Sequence, residues 1–250
     1  VEEPHTARVL EQDVSFIVRR SPRRRSIELQ VDENGLTVHA PWRASRRRIL
    51  DALQAHGEWV ARKLQAWQAA ASRRRQWVHG ATVPFLGREL SLEVTREART
   101  RVQLLDDDRL RVGIVGPPIT LHQSEPDTVS ADPASIRDAV VAWYRRHAPP
   151  LFHSSVTRYA PLLQVTPPRI FISNARGRWG SCNSRAQIRL NWRLVQAKQA
   201  IIDYVVVHEL AHLREMNHSR RFWSLVESIY PDYLTARAEL DRLGGELMAL

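Results

Sequence analysis

Cysteine is nearly absent from this 250-residue chain, where Cys182 stands alone. No intrachain disulfide can form. A secreted fold stapled by disulfides is therefore excluded, and a reducing compartment is expected. Lysine is almost as scarce: only Lys63 and Lys198 occur among 37 basic residues, set against 27 acidic ones. The net charge of +10 is thus carried by arginine, and it is shared evenly between the two halves, which excludes a basic tail. A field of this sign favours acidic partners, so nucleic acid binding through a basic surface is one expectation. No apolar run approaches the roughly 18 residues needed to span a bilayer. The chain opens on Val1-Glu2-Glu3-Pro4, without the basic-then-apolar order of a signal peptide. These absences point to a cytoplasmic protein with no membrane partner.

What is present suits a globular fold. Hydrophobic residues make up 43% of the chain, and 250 residues suffice for one large domain or two small ones. The first part reads as strands with one long helix. Ser15–Arg20, Ser26–Val31 and Leu36–Ala40 are short β-rich runs, and Asn34-Gly35 between the last two signals a hairpin turn. A helix is expected over residues 44–71. Ser45 would cap it, Ile49, Leu53, Val60, Leu64 and Trp67 would form its apolar face, and Gly57 would mark a kink. Residues 83–95 and 100–115 read as further strands, with turns at Gly87 and at Asp106-Asp107-Asp108. Gly116–Asp132, rich in Pro, Ser and Asp, is the expected domain boundary.

A second block starts at Asp132-Pro133, a cap followed by the proline favoured at a first helical position. Pro149-Pro150 should break this helix, with a second helical segment over Leu151–Leu163. Arg169–Ser173 and Gln187–Leu194 read as strands, and a turn-rich segment, residues 178–184, lies between them. Helices follow over residues 197–216, from Ser219 to Tyr230, and over residues 232–243, before Gly244-Gly245. The expected class is α+β, with a β-rich domain at residues 1–120 and a catalytic domain at residues 121–250.

The chemistry concentrates in His208-Glu209-Leu210-Ala211-His212, preceded by apolar Tyr204-Val205-Val206-Val207. Residues four apart share a helix face, so His208 and His212 can direct nitrogens at one cation. Glu209 can reach a water on that cation without ligating it. This is what catalytic zinc requires: protein ligands, an open position, and a base for the water. The third ligand is open on spacing alone. His218 follows His212 by six residues, the interval in HExxHxxGxxH, but Glu215 stands where that pattern has Gly. Asn217 is then expected to take the left-handed conformation that ends the helix. Glu215 and Glu227 are the rival ligands.

Several further stretches share a pattern with one family. They are Trp179 to Cys182, Ile188 to Leu194, Asp203 to Leu213, Asn217-His218-Ser219 and Phe222-Trp223. Together they resemble the YgjP-like metallopeptidases, a zincin group similar to the SprT and WLM proteases. The match is strongest over residues 176–234. It extends through the Ser26–Ala40 hairpin and the helix holding Trp59 to nearly the full length. The resemblance implies a zincin-like catalytic domain with Zn²⁺ held by His208, His212 and His218, and with Glu209 as base. It also implies a strand at Gln187–Leu194 beside the active-site helix, and a protein or peptide substrate.

Candidate substrate-binding or transition-state residues are Arg178, Trp179, Tyr204 and Asn191. Arg178 would steady an oxyanion, and the segment around Trp179 would align an extended substrate. Asp203 reads as a helix-surface carboxylate and Cys182 as a small buried residue. Two other functions use the same residues. One is a metal-dependent phosphoanhydride hydrolase acting on nucleotides. The other is a nucleic-acid-associated protein with a structural zinc.

Overall fold

The computed structural model describes residues 2–10, 12–32, 35–72, 75–106, 108–116, 131–183 and 185–250. The fold is α+β. It divides into two compact units, one of residues 1–74 with 242–249, the other of residues 75–241 with Leu250.

The first unit holds strands β1 (Glu2–Val9), β2 (Gln12–Ser21), β3 (Glu28–Asp32) and β4 (Gly35–Pro41) in the order β1-β2-β4-β3. The β2–β4 pair is parallel and the other two are antiparallel. Val14, Phe16 and Val18 on β2 are buried, as are Leu36, Val38 and Ala40 on β4. The period of two on β2 is the mark of a half-buried sheet, while on β4 Thr37 is buried as well. Antiparallel pairing of Asp32 with Gly35 gives the expected hairpin, and Gly35 sits at φ +97°, where a side chain would be strained. Asn34 itself lies outside the described residues.

The single helix expected over residues 44–71 is in fact two, α1 (Arg46–Ala55) and α2 (Gly57–Ser72). The Ser45 side chain accepts from the Arg48 N–H, as its cap role requires. The break falls at His56, one residue before Gly57. A methyl at Gly57 would lie 3.1 Å from the Val9 side chain, so the small residue admits close packing there.

The second unit contains β5 (Thr82–Phe85), β6 (Arg88–Glu97), β7 (Arg101–Leu104) and β8 (Arg109–Val115), ordered β5-β6-β8-β7. Gly87 turns β5 into β6 at φ +76°. Asp107 and residues 117–130, most of the expected boundary segment, lie outside the described residues. This sheet packs with the helical part: the Tyr144 hydroxyl donates to Pro84 O at 2.5 Å, and Phe85 stacks with Tyr144 and lies tilted against Trp143.

Helix α3 (Pro133–Leu162) runs unbroken for 30 residues, and the expected break at Pro149-Pro150 is corrected. Each proline removes one backbone N–H. The buried series Tyr144, Ala148, Phe152, Val156 and Tyr159 nevertheless continues past both, so tertiary packing outweighs the lost bonds. A second sheet has the order β10-β11-β9, from β9 (Arg169–Ser173), β10 (Gly180–Cys182) and β11 (Gln187–Asn191). Two expectations change here. The turn-rich segment contains a short edge strand, and β11 ends at Asn191, after which Trp192–Gln196 form a 3-10 helix.

Helix α4 (Gln199–Ala211) lies against α3 and β10. It is followed by α5 (Arg220–Ile229) and α6 (Tyr233–Met248). The last helix continues through Gly244-Gly245, both buried, rather than stopping before them. Among the described residues, no helix is long and apolar enough to cross a membrane.

Candidate metal centre

Helix α4 is buried on nearly every side, with Ile201, Ile202, Val205, Val206, Val207 and Leu210 at 3% exposure or less. This setting positions its two histidines. His208 and His212 are one turn apart, their rings 4.9 Å between centroids. The helix closes at His212, and Leu213, Arg214 and Glu215 turn back by bonding to Leu210 and Ala211 carbonyls. Asn217 is not among the described residues with positive φ, so the expected left-handed stop there is replaced by this tightened turn. Ser219 then caps α5, accepting from the Phe222 N–H, and His218 immediately precedes that cap.

The three histidines offer ring nitrogens within 4.8 Å of one another. His218 Nε2 faces His208 Nε2 at 3.0 Å. His212 Nδ1 lies 3.1 Å from the Glu215 carbonyl. A carbonyl only accepts, so Nδ1 carries the proton and the neutral ring keeps its lone pair on Nε2. Phe222, fully buried, forms the floor: its ring lies 4.5 to 4.9 Å from all three imidazoles. Burial lowers His208 to about 3, with His212, His218 and Arg237 adding to the effect. His218 is also lowered, mainly by burial. Imidazoles converging from two segments have the donor chemistry a zinc-type cation needs. Among the described residues, neither Glu215 nor Glu227 joins this group.

Glu209 is 5% exposed, and its Oε2 has no hydrogen-bond partner. Burial raises its carboxyl to about 8, and the Arg178 charge opposes that rise. Gly180 on β10 lies directly against this carboxylate. A methyl there would sit 2.7 Å from Glu209 Cγ and Cδ, and closer still to Oε1. Strand β10 therefore passes beside Glu209.

The remaining candidates separate. Arg178 is exposed and acts on Glu209 through its charge. Trp179 is half-buried and its carbonyl accepts from the Asn191 N–H. Tyr204 is 6% exposed, its ring 6.1 Å from His208, and burial pushes its hydroxyl to about 12. Asn191 is fully buried. Its amide donates to Ala175 O and Arg178 O while its oxygen accepts from the Arg193 N–H. It thus ties the 175–178 loop to the 3-10 helix.

Sequence reasoning missed other members. Asp203 is buried, not on the helix surface, and accepts from Ser155, Tyr159 and Gln199. Gly180, Trp223 and Arg237 also border the site.

A family described as YgjP-like, metallopeptidase domain, matches residues 25–243. The chain belongs to this family. Two solved structures are similar to parts of this YgjP-like chain. One is the metallopeptidase zymogen of Pyrococcus abyssi abylysin, at 23% identity over 37% of this chain and 90% of that one, with a TM-score of 0.33. The other is the zymogen of Methanocaldococcus jannaschii jannalysin, at 18% identity over 36% and 92%, also with a TM-score of 0.33. No match was found among the curated proteins.

Proposed function

We propose that this YgjP-like protein is a zinc metallopeptidase with His208, His212 and His218 as ligands and Glu209 as general base. The observation carrying this reading is the meeting of three ring nitrogens within 4.8 Å beside a buried carboxylate that has an unpartnered oxygen. Zn²⁺ in this cradle would acidify water and polarise a carbonyl oxygen. Glu209 takes a proton from the attacking water at Oε2 and returns it to the leaving nitrogen. Arg178 favours the ionised form that can accept that proton. Gly180 leaves the carboxylate its room. Tyr204 stays protonated and presents a neutral hydroxyl. A structural zinc would require a fourth protein ligand, whereas the group has three members among the described residues, which favours an open site.

The test measures metal content and hydrolysis together. Wild type and Glu209→Gln are expected to bind zinc alike, and the variant to lose about 10²–10⁴-fold in peptide cleavage. His218→Ala should lose zinc. Equal zinc in His218→Ala would refute the ligand set, and release of phosphate from nucleoside triphosphates without peptide cleavage would refute the substrate class.

A further inference from the structure

We propose that Arg237 and Arg178 make the site selective for peptides carrying a carboxylate close to the scissile bond; this rests on the peptidase reading above. Both arginines are exposed, and neither has a carboxylate partner among the described residues. The Arg237 guanidinium lies over the Trp223 ring at 5.0 Å. Trp223 also stacks with Tyr233 at 5.5 Å and with His218 at 5.7 Å. The cation is therefore held one aromatic ring from a proposed metal ligand. Stacking on a ring occupies the flat face of a guanidinium and leaves its N–H edge free, the geometry that grips a carboxylate in bidentate fashion.

On the other side, Arg178 comes two residues before Gly180, which abuts the Glu209 carboxylate. Its charge reaches Glu209, as that of Arg237 reaches His208, His218 and Tyr204. Carboxylates oppose this field. Glu209 is the base, and Asp241, which faces Tyr204 from α6, already has a contact of its own. At about 3.4 Å per extended residue, a group beside Trp223 belongs to a peptide position roughly two or three residues from the bond cut. The carboxylate can come from a Glu or Asp side chain or from the peptide's own C-terminus.

The experiment uses the zinc-loaded full chain and one neutral quenched-fluorescence peptide. Each of three positions on either side of the cleaved bond is changed in turn to Glu, Gln or Lys. A second pair carries a free or an amidated C-terminus, separating the two carboxylate sources. At low salt at least one position should favour Glu over Gln by about fivefold in kcat/KM, and Lys should be worst. The preference should shrink at 0.5 M salt. Arg237→Glu or Arg178→Glu should abolish or reverse it, and Arg137→Glu, the same charge change elsewhere, should not. Cleavage of all peptides within twofold overturns the proposal and leaves the peptidase reading standing. So does a preference that survives in both site variants. A zinc-loaded protein that cleaves none of the peptides overturns both.

Discussion

Gly180→Ala concentrates its damage on one atom group. The added methyl would stand 2.7 Å from Glu209 Cγ and Cδ, where ordinary carbon contacts begin near about 3.4 Å. The carboxylate or β10 must therefore yield by roughly 0.7 Å. In an exposed strand, replacing glycine with alanine gains about 0.5–1 kcal/mol through backbone entropy. Here overpacking should outweigh that gain, for a net loss of about 1–3 kcal/mol. If Glu209 is the proposed proton-transfer group, displacing it by nearly 1 Å should cost about 100-fold in kcat/KM. Zinc content should hold, because Gly180 meets Glu209 and not the imidazoles. Stability is read by urea denaturation of four proteins: wild type, Gly180→Ala, Glu209→Ala and the double variant. Removing the carboxylate removes the collision, so Gly180→Ala should be harmless in the Glu209→Ala background. Additive destabilisation across that cycle would refute the packing argument. So would a Gly180→Ala protein with full activity.

Further outcomes are expected. In metal-free protein, burial holds Glu209 at about 8 against its ordinary 4.5. The folded state then carries an extra proton between those values. This stabilising contribution is complete below pH 4.5 and is lost as pH rises through 8. Glu209→Gln, which has no such dependence, should gain about 2.7 kcal/mol on wild type between pH 5 and pH 7; parallel denaturation curves would exclude it. His208 works in the opposite sense, lowered to about 3 from 6.5, so its neutral form supports the fold above pH 6.5 and that support is lost as pH falls towards 3. Phe222→Ala removes the floor of the cluster and should cost about 3–5 kcal/mol, measured by thermal or urea unfolding. Asp203→Ala leaves the Ser155, Tyr159 and Gln199 donors without their acceptor and should cost about 1–3 kcal/mol.

The parts of the site readable in the sequence are those set by short-range geometry. His208 and His212 follow from helical period, and Ser45, Asp132 and Ser219 from their cap chemistry, each accepting from a first-turn N–H. Strand β9 has the bounds its β-rich residues imply. What stayed hidden depends on partners distant in the chain. Asp203 meets Ser155 and Tyr159 across 44 to 48 residues, so its burial leaves no mark on its neighbours. Gly180 reads as a turn residue because a three-residue strand is too short to show alternation. Pro149-Pro150 and Gly244-Gly245 suggest breaks by local propensity, yet packing carries helices through both. Arg237 is one arginine among many on paper and acquires a role only through the Trp223 face.

The chain between His212 and His218, residues 213–217, joins the end of one packed helix to the cap of the next. The proposed third ligand is thus a tethered imidazole, presented at an effective concentration fixed by that short span, of millimolar order or above. Free imidazole added to His218→Ala competes against that figure, so chemical rescue of zinc binding should begin only in the millimolar range.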